Sequence, residues 1–202
     1  MTVSVVALNC TLTPSPAESS TERLTGEVLA AFEKQGCSTS SFRVVDHDVK
    51  HGVQKDMGGG DAWPAIREAV LAADVLLLGT PIWLGQCSSV CKKVLERLDA
   101  ELSEKDDQGR LLTYGKVAAL AVVGNEDGAH NVTAEVFQAL NDVGFTQPAA
   151  AVTYWHGPAL GSTDYKDLDT TPDEVAGMTT TLVTNTLHLA QLLKDAPYPP
   201  SE

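Results

Sequence analysis

The feature of this sequence that most constrains its fold is the alternation of short aliphatic runs with longer amphipathic segments. Strand-sized runs occur at residues 3–8, 41–45, 75–78, 116–123 and within 148–154. Aliphatic strands that are flanked by helices are typical of a parallel sheet that is buried on both faces. The pattern therefore predicts an α/β fold in which helices cover both faces of a five-stranded parallel sheet.

The segments between the strands carry apolar residues at helical spacing, as Leu24, Val28 and Phe32 do. Gly36 is a natural stop after the first helix, and Pro64 is tolerated in the first turn of the second. The predicted helices cover residues 21–35, 63–72, 88–102, 134–143 and 179–193. Because no linker or repeat divides the chain, we interpret residues 1–196 as one domain and residues 197–202 as a tail.

The charge balance limits the partners that this chain can bind. Its 202 residues include 14 Lys and Arg against 27 Asp and Glu, which gives a net charge of −13. Such a surface repels phosphates and anionic lipids, so we expect no nucleic-acid partner and no membrane partner. The sequence has no apolar run of about 18 residues, no basic leader and few cysteines, so we expect a cytoplasmic protein. The acidic run at residues 101–107 is predicted to be a solvated helix end.

The loop after the first strand is the first candidate site, because ligands of open parallel α/β sheets bind beyond the carboxyl ends of the strands. Residues 9–21 are rich in hydroxyl groups and contain no Lys or Arg. Helix amides and hydroxyls can bind a phosphate without a cation, but Ser and Thr are also ordinary helix caps. The motifs G-x-x-x-x-G-K-[ST] and G-x-G-x-x-G are absent from this loop, which disfavours a P-loop and a dinucleotide-binding Rossmann site.

Two further loops follow the third and fourth strands. Residues 79–86 combine Gly, Pro and Trp83, which suits the face and edge of a planar heterocycle; the alternative is a turn whose tryptophan packs on the core. Gly124 and Gly128 let the backbone approach a ligand, or they belong to a turn that caps the next helix. Because the fold brings all three loops to one edge of the sheet, together they predict a ligand site there.

Two motifs in this region carry a family resemblance. Residues 79–85 read GTPIWLG, and the helix that follows contains LERLD at residues 95–99. They resemble the G-T-P-x-[YW] loop and the next helix of flavodoxin-like NAD(P)H-dependent FMN reductases, and SST at residues 19–21 resembles the end of that family's phosphate loop. The resemblance extends to about residue 155. It implies a flavodoxin-like three-layer sandwich with strand order 2-1-3-4-5.

The resemblance also implies which residues contact FMN. Around the phosphate it implies Thr11, Ser15, Ser19, Ser20 and Thr21. Along the isoalloxazine ring it implies Pro81, Ile82, Trp83, Leu84 and Gly85. In the third loop it implies Asn125, Glu126, Asp127, Gly128 and His130. The first strand ends in LNCT where the family has GSPR, so no arginine is expected at the phosphate.

The activity that the resemblance implies is hydride transfer from NADH or NADPH, through FMN, to a small acceptor such as a quinone or a second flavin. The cofactor carries this chemistry, so neither a catalytic side chain nor a metal is expected. Relatives of this kind imply a homodimer or homotetramer. A flavodoxin-type electron carrier and an FMN-free binding module remain as alternatives. The long segment at residues 155–173 favours an enzyme if it covers the open face of the flavin.

Several residues near the predicted site have two interpretations. Trp155 is a candidate for stacking on the flavin or substrate, or it packs at a strand end. His130 and His156 can hydrogen-bond the flavin, although loop histidines more often face solvent. Small apolar packing explains the cysteines of this edge better than a metal site does. These cysteines are Cys10, Cys87 and Cys91.

Overall fold

The computed structural model describes residues 2–200; Met1 and the last two residues of the predicted tail, Ser201 and Glu202, lie outside this range. The strands are β1 Ser4–Asn9, β2 Ser38–Arg43, β3 Val75–Trp83, β4 Gln86–Cys87, β5 Val117–Gly124 and β6 Val152–His156. The helices are α1 Ser20–Lys34, α2 Trp63–Ala72, α3 Ser89–Leu98, α4 Ala129–Asp142 and α5 Asp173–Asp195. Short 3-10 turns occupy Val44–Asp46, Asp99–Ser103 and Tyr165–Asp167.

The long strands form one parallel sheet in the order β2-β1-β3-β5-β6. The two-residue strand β4 pairs antiparallel with the end of β3 and forms a short hairpin. Without β4, the strand order along the chain is 2-1-3-4-5, the order of flavodoxin-like folds. The predicted fold class is therefore confirmed, and the hairpin is an addition that the sequence did not indicate.

Two hydrophobic cores lie on opposite faces of the sheet. On one face, α1 and α5 pack against alternate residues of the central strands, such as Ala7, Leu77 and Ala119. On the other face, α2, α3 and α4 pack against the residues between them, such as Leu8 and Leu78. Since neighbouring residues of a strand point to opposite faces, central strands that are covered twice must be aliphatic throughout.

Several element ends differ from the prediction. Strand β2 occupies residues 38–43 and not 41–45, because this polar edge strand is positioned by backbone pairing with β1 and not by apolar burial. Strand β3 continues to Trp83, five residues beyond its aliphatic run. Helix α4 begins at Ala129 and not at residue 134, directly after Gly128, whose φ of 136° reverses the chain.

The acidic run at residues 101–107 is not entirely solvated. Glu101 is fully buried, and its carboxylate accepts hydrogen bonds from Arg67 Nε at 2.5 Å and Nη2 at 2.9 Å. A buried carboxylate needs such a partner, because burial without one is costly. The partner lies on α2, 34 residues away. The prediction for this residue was therefore wrong, and a local charge pattern does not reveal the pairing.

A polar cluster ties the amino-terminal end of the sheet together. Asp74 Oδ2 accepts hydrogen bonds from the backbone amide of Ser4 at 2.8 Å and from Lys194 Nζ at 2.8 Å. Partial burial opposes ionisation of this carboxyl group, but the hydrogen bonds from Lys194 and Ser4 hold its pKa below the ordinary value. The cluster joins β1, the start of β3 and the end of α5.

No helix within residues 2–200 is both long enough and apolar enough to cross a lipid bilayer.

Candidate functional site

A cavity of about 460 Å³ opens beyond the carboxyl ends of β1, β3 and β5. This volume lies within the range of about 300–1,000 Å³ that is usual for small-molecule sites. The following residues line it: Thr11, Leu12, Thr13, Glu18, Ser19, Ser20, Thr21, Pro81, Ile82, Trp83, Leu84, Val123, Gly124, Asn125, Glu126, Trp155, Leu160, Asp164, Tyr165 and Lys166. All three loops that the sequence indicates reach the cavity, and residues after β6 form a fourth side.

The loop after β1 is shaped by its own polar side chains. Asn9 Oδ1 accepts a hydrogen bond from the amide of Thr11 at 3.1 Å, and Thr11 Oγ1 accepts one from Thr13 at 3.2 Å. Arg43 lies behind the loop and donates to the carbonyl oxygen of Ala17 at 2.8 Å. Ser15 turns toward the outside, where its hydroxyl donates to Asp46 Oδ2 at 2.6 Å. Ser15 therefore does not line the cavity, whereas Thr11 does.

The amino terminus of α1 presents free backbone donors to the cavity. Ser19 caps the helix, since its hydroxyl accepts from the amide of Glu22 at 3.3 Å. Within residues 2–200, the amides of Ser20 and Thr21 donate to no other protein group. A Cβ atom on Gly79 would lie 2.2 Å from Thr25 Cγ2, so this glycine lets the first turns of α1 lie close to β3. The first turn of α1 can thus bind an anion.

The turn between β3 and β4, residues 83–85, forms an exposed side of the cavity that we call the hairpin tip. Trp83 is 54% exposed and Leu84 is 92% exposed, so Trp83 does not pack in the core as the alternative interpretation required. Leu84 and Gly85 have φ values of 54° and 74°, and with this left-handed backbone their two N–H groups point in the same direction. Both amides donate to the carboxylate of Glu126, at 3.0 and 3.1 Å.

The loop after β5 lies against the hairpin tip. A Cβ atom on Gly128 would lie 2.7 Å from the Cα atom of Gly85, so only glycine permits this approach of two backbones. Asn125 and Glu126 line the cavity, whereas Gly85, Asp127, Gly128 and His130 do not. The ring of His130 instead packs edge-on against Tyr154 at 5.5 Å, outside the cavity.

The fourth side of the cavity comes from residues 158–172, which we call the side wall. Arg23 of α1 fastens it, since Nη1 donates to the carbonyl oxygens of Tyr165, Lys166 and Leu168 at 2.9, 3.2 and 2.6 Å. The Tyr165 side chain is fully buried, and its hydroxyl donates to the carboxylate of Glu27. The side wall is therefore bonded to α1 along its central part.

Trp155 stands between the side wall and the cavity. Its indole ring packs against the ring of Tyr165 at a centroid distance of 5.4 Å, and the residue also lines the cavity. The two interpretations of this tryptophan are thus compatible, because it packs at a strand end and still presents a surface to a ligand. Across the mouth, Asn125 Nδ2 donates to Asp164 Oδ1 at 2.7 Å and joins the β5 loop to the side wall.

Lys166 is the one Lys or Arg among the described residues that line the cavity. Its ammonium group contacts the carboxylates of Asp167 at 2.8 Å and Asp164 at 3.6 Å. The hydrogen bond to Asp167 raises the pKa of Lys166, so the side chain is positively charged at neutral pH. Sequence reasoning missed the side-wall residues, although Tyr165 and Lys166 are the one aromatic and the one basic residue between residues 157 and 172.

The cysteines lie beneath the hairpin. Cys10 and Cys91 are buried and Cys87 is half-buried. The hydrogen bond between the thiols of Cys87 and Cys91, together with burial, raises the pKa of Cys87, so this thiol is neutral. No group of three or more His, Cys, Asp or Glu side chains within residues 2–200 is arranged to hold a metal ion.

Comparisons with known proteins agree with this geometry. The family model described as NADPH-dependent FMN reductase matches residues 3–157. The chain is 33% identical to 8-demethyl-8-aminoriboflavin-5'-phosphate synthase from Streptomyces davaonensis, and the match covers 98% of this chain and 81% of that protein.

Solved structures show the same architecture. A crystal structure of RosB with the bound intermediate 8-demethyl-8-formylriboflavin-5'-phosphate superposes with a TM-score of 0.88 and 33% identity, covering 97% of this chain and 82% of that one. A structure of the NADH:FMN oxidoreductase EMOB in its apo form has a TM-score of 0.66 and 19% identity, covers 98% of this chain and 94% of that one, and shows the shared fold. The chain belongs to the NADPH-dependent FMN reductase family, whose members are flavodoxin-like flavoprotein oxidoreductases.

Proposed function

We propose that this protein binds FMN in the cavity and passes reducing equivalents from NADH or NADPH to a small acceptor such as a quinone or a second flavin. The observation that carries the proposal is the composition of one continuous cavity. It joins free helix amides and hydroxyl groups at the end of β1 to apolar and aromatic walls at the ends of β3 and β6. Such a division suits a molecule with an anionic end and a planar heterocyclic end.

The residues at the α1 end of the cavity fit a phosphate group. The amides of Ser20 and Thr21 have no protein acceptor within the described chain, and they lie at the positive end of a 15-residue helix. The hydroxyl groups of Thr11 and Thr21 add further donors beside them. These groups would hold the phosphate of FMN.

The residues at the other end fit a flat ring system. Pro81, Ile82 and Trp83 form one wall, and Trp155 forms part of the opposite side. Apolar side chains of this kind bury the faces of a heterocycle and exclude water from it, while nearby backbone groups orient its polar edge. When bound there, FMN supplies the redox chemistry, namely acceptance of a hydride and its delivery onward.

The side wall supports an enzyme over a simple electron carrier. Leu160, Asp164 and Tyr165 limit the cavity on one side. We propose that this side covers the flavin edge that an electron carrier would leave bare. Their role is to shape the space for an acceptor. We assign no proton-transferring side chain, so the residues of the cavity act by binding and orientation. We also propose a cytoplasmic homodimer or homotetramer that consists of one domain per chain, with residues 197–202 as a tail.

A second candidate function is that a riboflavin 5'-phosphate derivative is the substrate and not a resident cofactor. The observation that favours it is the 33% identity to a synthase of 8-demethyl-8-aminoriboflavin-5'-phosphate, together with the RosB structure that holds a related intermediate. The same cavity residues would bind the phosphate and ring of such a substrate.

The visible absorption spectrum of the purified protein, followed by flavin extraction, tests the proposed function. We expect a flavin spectrum, released FMN, and oxidation of NADH or NADPH that depends on an added quinone. Bound FMN without this oxidation would favour an electron carrier, and a chemically altered flavin in the mass spectrum would favour the second candidate. A colourless protein that added FMN does not colour would overturn all of them and favour a binding module.

The double variant Ser20→Asp, Thr21→Asp tests the phosphate end. It places two carboxylates beside the free amides of α1, so FMN affinity should fall at least about tenfold through repulsion. The double variant Ser20→Asn, Thr21→Asn is the uncharged control. Unchanged FMN affinity in the aspartate variant would mean that the phosphate binds elsewhere.

A further inference from the structure

The phosphate end of the cavity has a charge problem that the helix amides do not solve alone. A phosphate monoester carries close to two negative charges at neutral pH, and Glu18, Glu126 and Asp164 also line the cavity. The terminus of a helix offers only about half a positive charge. Arg23 and Arg43 lie near this end but do not line the cavity, and their guanidinium groups are paired with Glu27 and Glu22. With a net charge of −13 over the whole chain, the protein therefore needs a further local cation if it is to favour the phosphorylated form of a flavin.

Lys166 is placed at this end of the cavity by its backbone. Its amide donates to Ser20 Oγ at 3.1 Å, and its carbonyl oxygen accepts from Arg23 Nη1 at 3.2 Å. Both partners belong to the first turn of α1, where the free amides of Ser20 and Thr21 lie. The backbone of Lys166 is thus fixed beside the anion-binding turn, and only its side chain is free to change partners.

The present partners of the Lys166 ammonium group are weakly held. The side chains of Asp164 and Asp167 are 49% and 47% exposed, and that of Lys166 is 29% exposed. Ion pairs in contact with water contribute little free energy, because water and salt compete with them. A phosphate that is also bound by helix amides is a stronger acceptor than either carboxylate.

We propose that Lys166 is the residue that selects phosphorylated flavin, by exchanging its contact with Asp167 for the phosphate of the ligand. This inference rests on the proposed binding of a flavin nucleotide in the cavity, whether as cofactor or as substrate. Asp167 is then a competitor that holds the ammonium group while the phosphate site is empty. Replacing the two residues should therefore change FMN affinity in opposite directions.

The test is equilibrium binding of FMN and of riboflavin to the full chain after removal of flavin by dialysis, followed by flavin fluorescence. In Lys166→Gln we expect FMN affinity to fall about tenfold, the usual size for a lost charge-assisted contact, while riboflavin affinity stays unchanged. The FMN affinity of the wild-type protein should also fall more steeply with added salt than that of the variant. Lys92→Gln removes the same charge from an exposed pair on α3 and is the matched control.

The FMN affinity of Asp167→Asn tests the same proposal and does not depend on whether Lys166→Gln folds stably. We expect it to tighten FMN binding about threefold and to leave riboflavin binding unchanged. Equal FMN affinity in wild type and Lys166→Gln, equal losses for both flavins, or weaker FMN binding in Asp167→Asn would each overturn the role of Lys166. If wild type binds neither flavin, the proposed function itself fails and this inference fails with it.

Discussion

The side wall and the hairpin tip border the same cavity, but the protein holds them by different means. The side wall has a buried aromatic ring at its centre and a guanidinium group that serves three of its carbonyl oxygens. The hairpin tip exposes both of its large side chains, Trp83 and Leu84, and Glu126 accepts from its two turning amides. The centre of the side wall is therefore part of the packed body. The hairpin tip is an exposed turn that is held by the Glu126 carboxylate and by Asn131 Nδ2, which donates to the carbonyl oxygen of Gly85 at 3.0 Å.

This difference teaches where the cavity can adapt to a ligand. A segment with buried packing and several hydrogen bonds opens at a higher free-energy cost than an exposed turn does. We expect a ligand to meet a fixed surface at the side wall and an adjustable one at the hairpin tip. Four substitutions test the contrast, in order of decreasing expected effect.

Arg23→Leu should have the largest effect, because three carbonyl oxygens of the side wall lose their donor at once. We expect the free energy of unfolding to fall by about 2 kcal/mol, measured by urea denaturation. Limited proteolysis should cut faster within residues 158–172 and not at residues 83–85. Arg23→Lys keeps a positive charge and some hydrogen-bond donors, so its free energy of unfolding should lie between those of wild type and Arg23→Leu. If cleavage of the side wall is not accelerated, packing of Tyr165 and not Arg23 holds it in place.

Tyr165→Phe should lower the free energy of unfolding by about 1 kcal/mol at neutral pH through loss of the hydrogen bond to Glu27. Burial and this bond raise the pKa of Tyr165 above its ordinary value. Because the folded pKa is the higher one, this contribution is complete below the unfolded pKa of about 10 and is lost as pH rises above it.

The variant should therefore lose less stability than wild type when urea denaturation is repeated between neutral pH and pH values above about 10. Tyr198→Phe, which alters an exposed tyrosine, is the control. If the free energy of unfolding fell equally in wild type and Tyr165→Phe above a pH of about 10, the pKa of Tyr165 would be the same in the folded and unfolded states.

Glu126→Ala should act on the hairpin tip alone. The amides of Leu84 and Gly85 lose their acceptor but remain accessible to water, so the free energy of unfolding should fall by only about 0.5 kcal/mol. Hydrogen exchange of these two amides should become faster, while exchange across the side wall stays as it is. Glu126→Gln, which keeps one acceptor oxygen, should have a smaller effect. Faster exchange in the side wall as well would mean that the two sides are coupled.

Leu84→Asn should have an effect as small as that of Glu126→Ala and of the opposite sign. Leu84 adopts a left-handed conformation with a φ of 54° and is 92% exposed, so its side chain contributes little packing there. Asparagine tolerates this conformation better, and we expect a gain of about 0.5 kcal/mol in the free energy of unfolding. Leu160→Asn at a φ of 60° is the parallel variant in the side wall. A loss of stability in Leu84→Asn would indicate that Leu84 has a packing partner.

The parallel sheet with helices on both faces could be predicted from the sequence because burial on both faces requires aliphatic strands, whereas the strand order followed only from the family resemblance. The run from Val75 to Leu78 is aliphatic because it belongs to a central strand that is buried on both faces, and Leu24, Val28 and Phe32 share one helical face. The three loops of the site followed from the same pattern, since parallel strands end at one edge. The ends of elements were harder to predict. The start of α4, for example, depends on a single turn at Gly128, and one turn leaves no repeating pattern of apolar residues in the sequence.

The side wall could be predicted only as a long segment that covers the site. Its position depends on contacts between residues far apart in the sequence, as between Arg23 and Tyr165, which are 142 residues apart. The orientation of single side chains was equally hidden. The hydroxyl group of Ser15 is of a kind that can bind a phosphate. In the structure its amide and hydroxyl donate instead to Asp46, 31 residues away, on the outer surface.

The Asp74 cluster has a consequence for engineering this protein. It joins β1, β3 and α5 at the end of the sheet opposite to the cavity, so a main tie of the scaffold shares no side chain with the ligand loops. We therefore expect that ligand loops from relatives of different specificity can replace the loops of this protein. Arg23 and Glu27 must be kept where the replacement includes the side wall, because these two residues fasten it to α1. The residues that stabilise this end of the sheet are thus separate from the loops that would determine specificity.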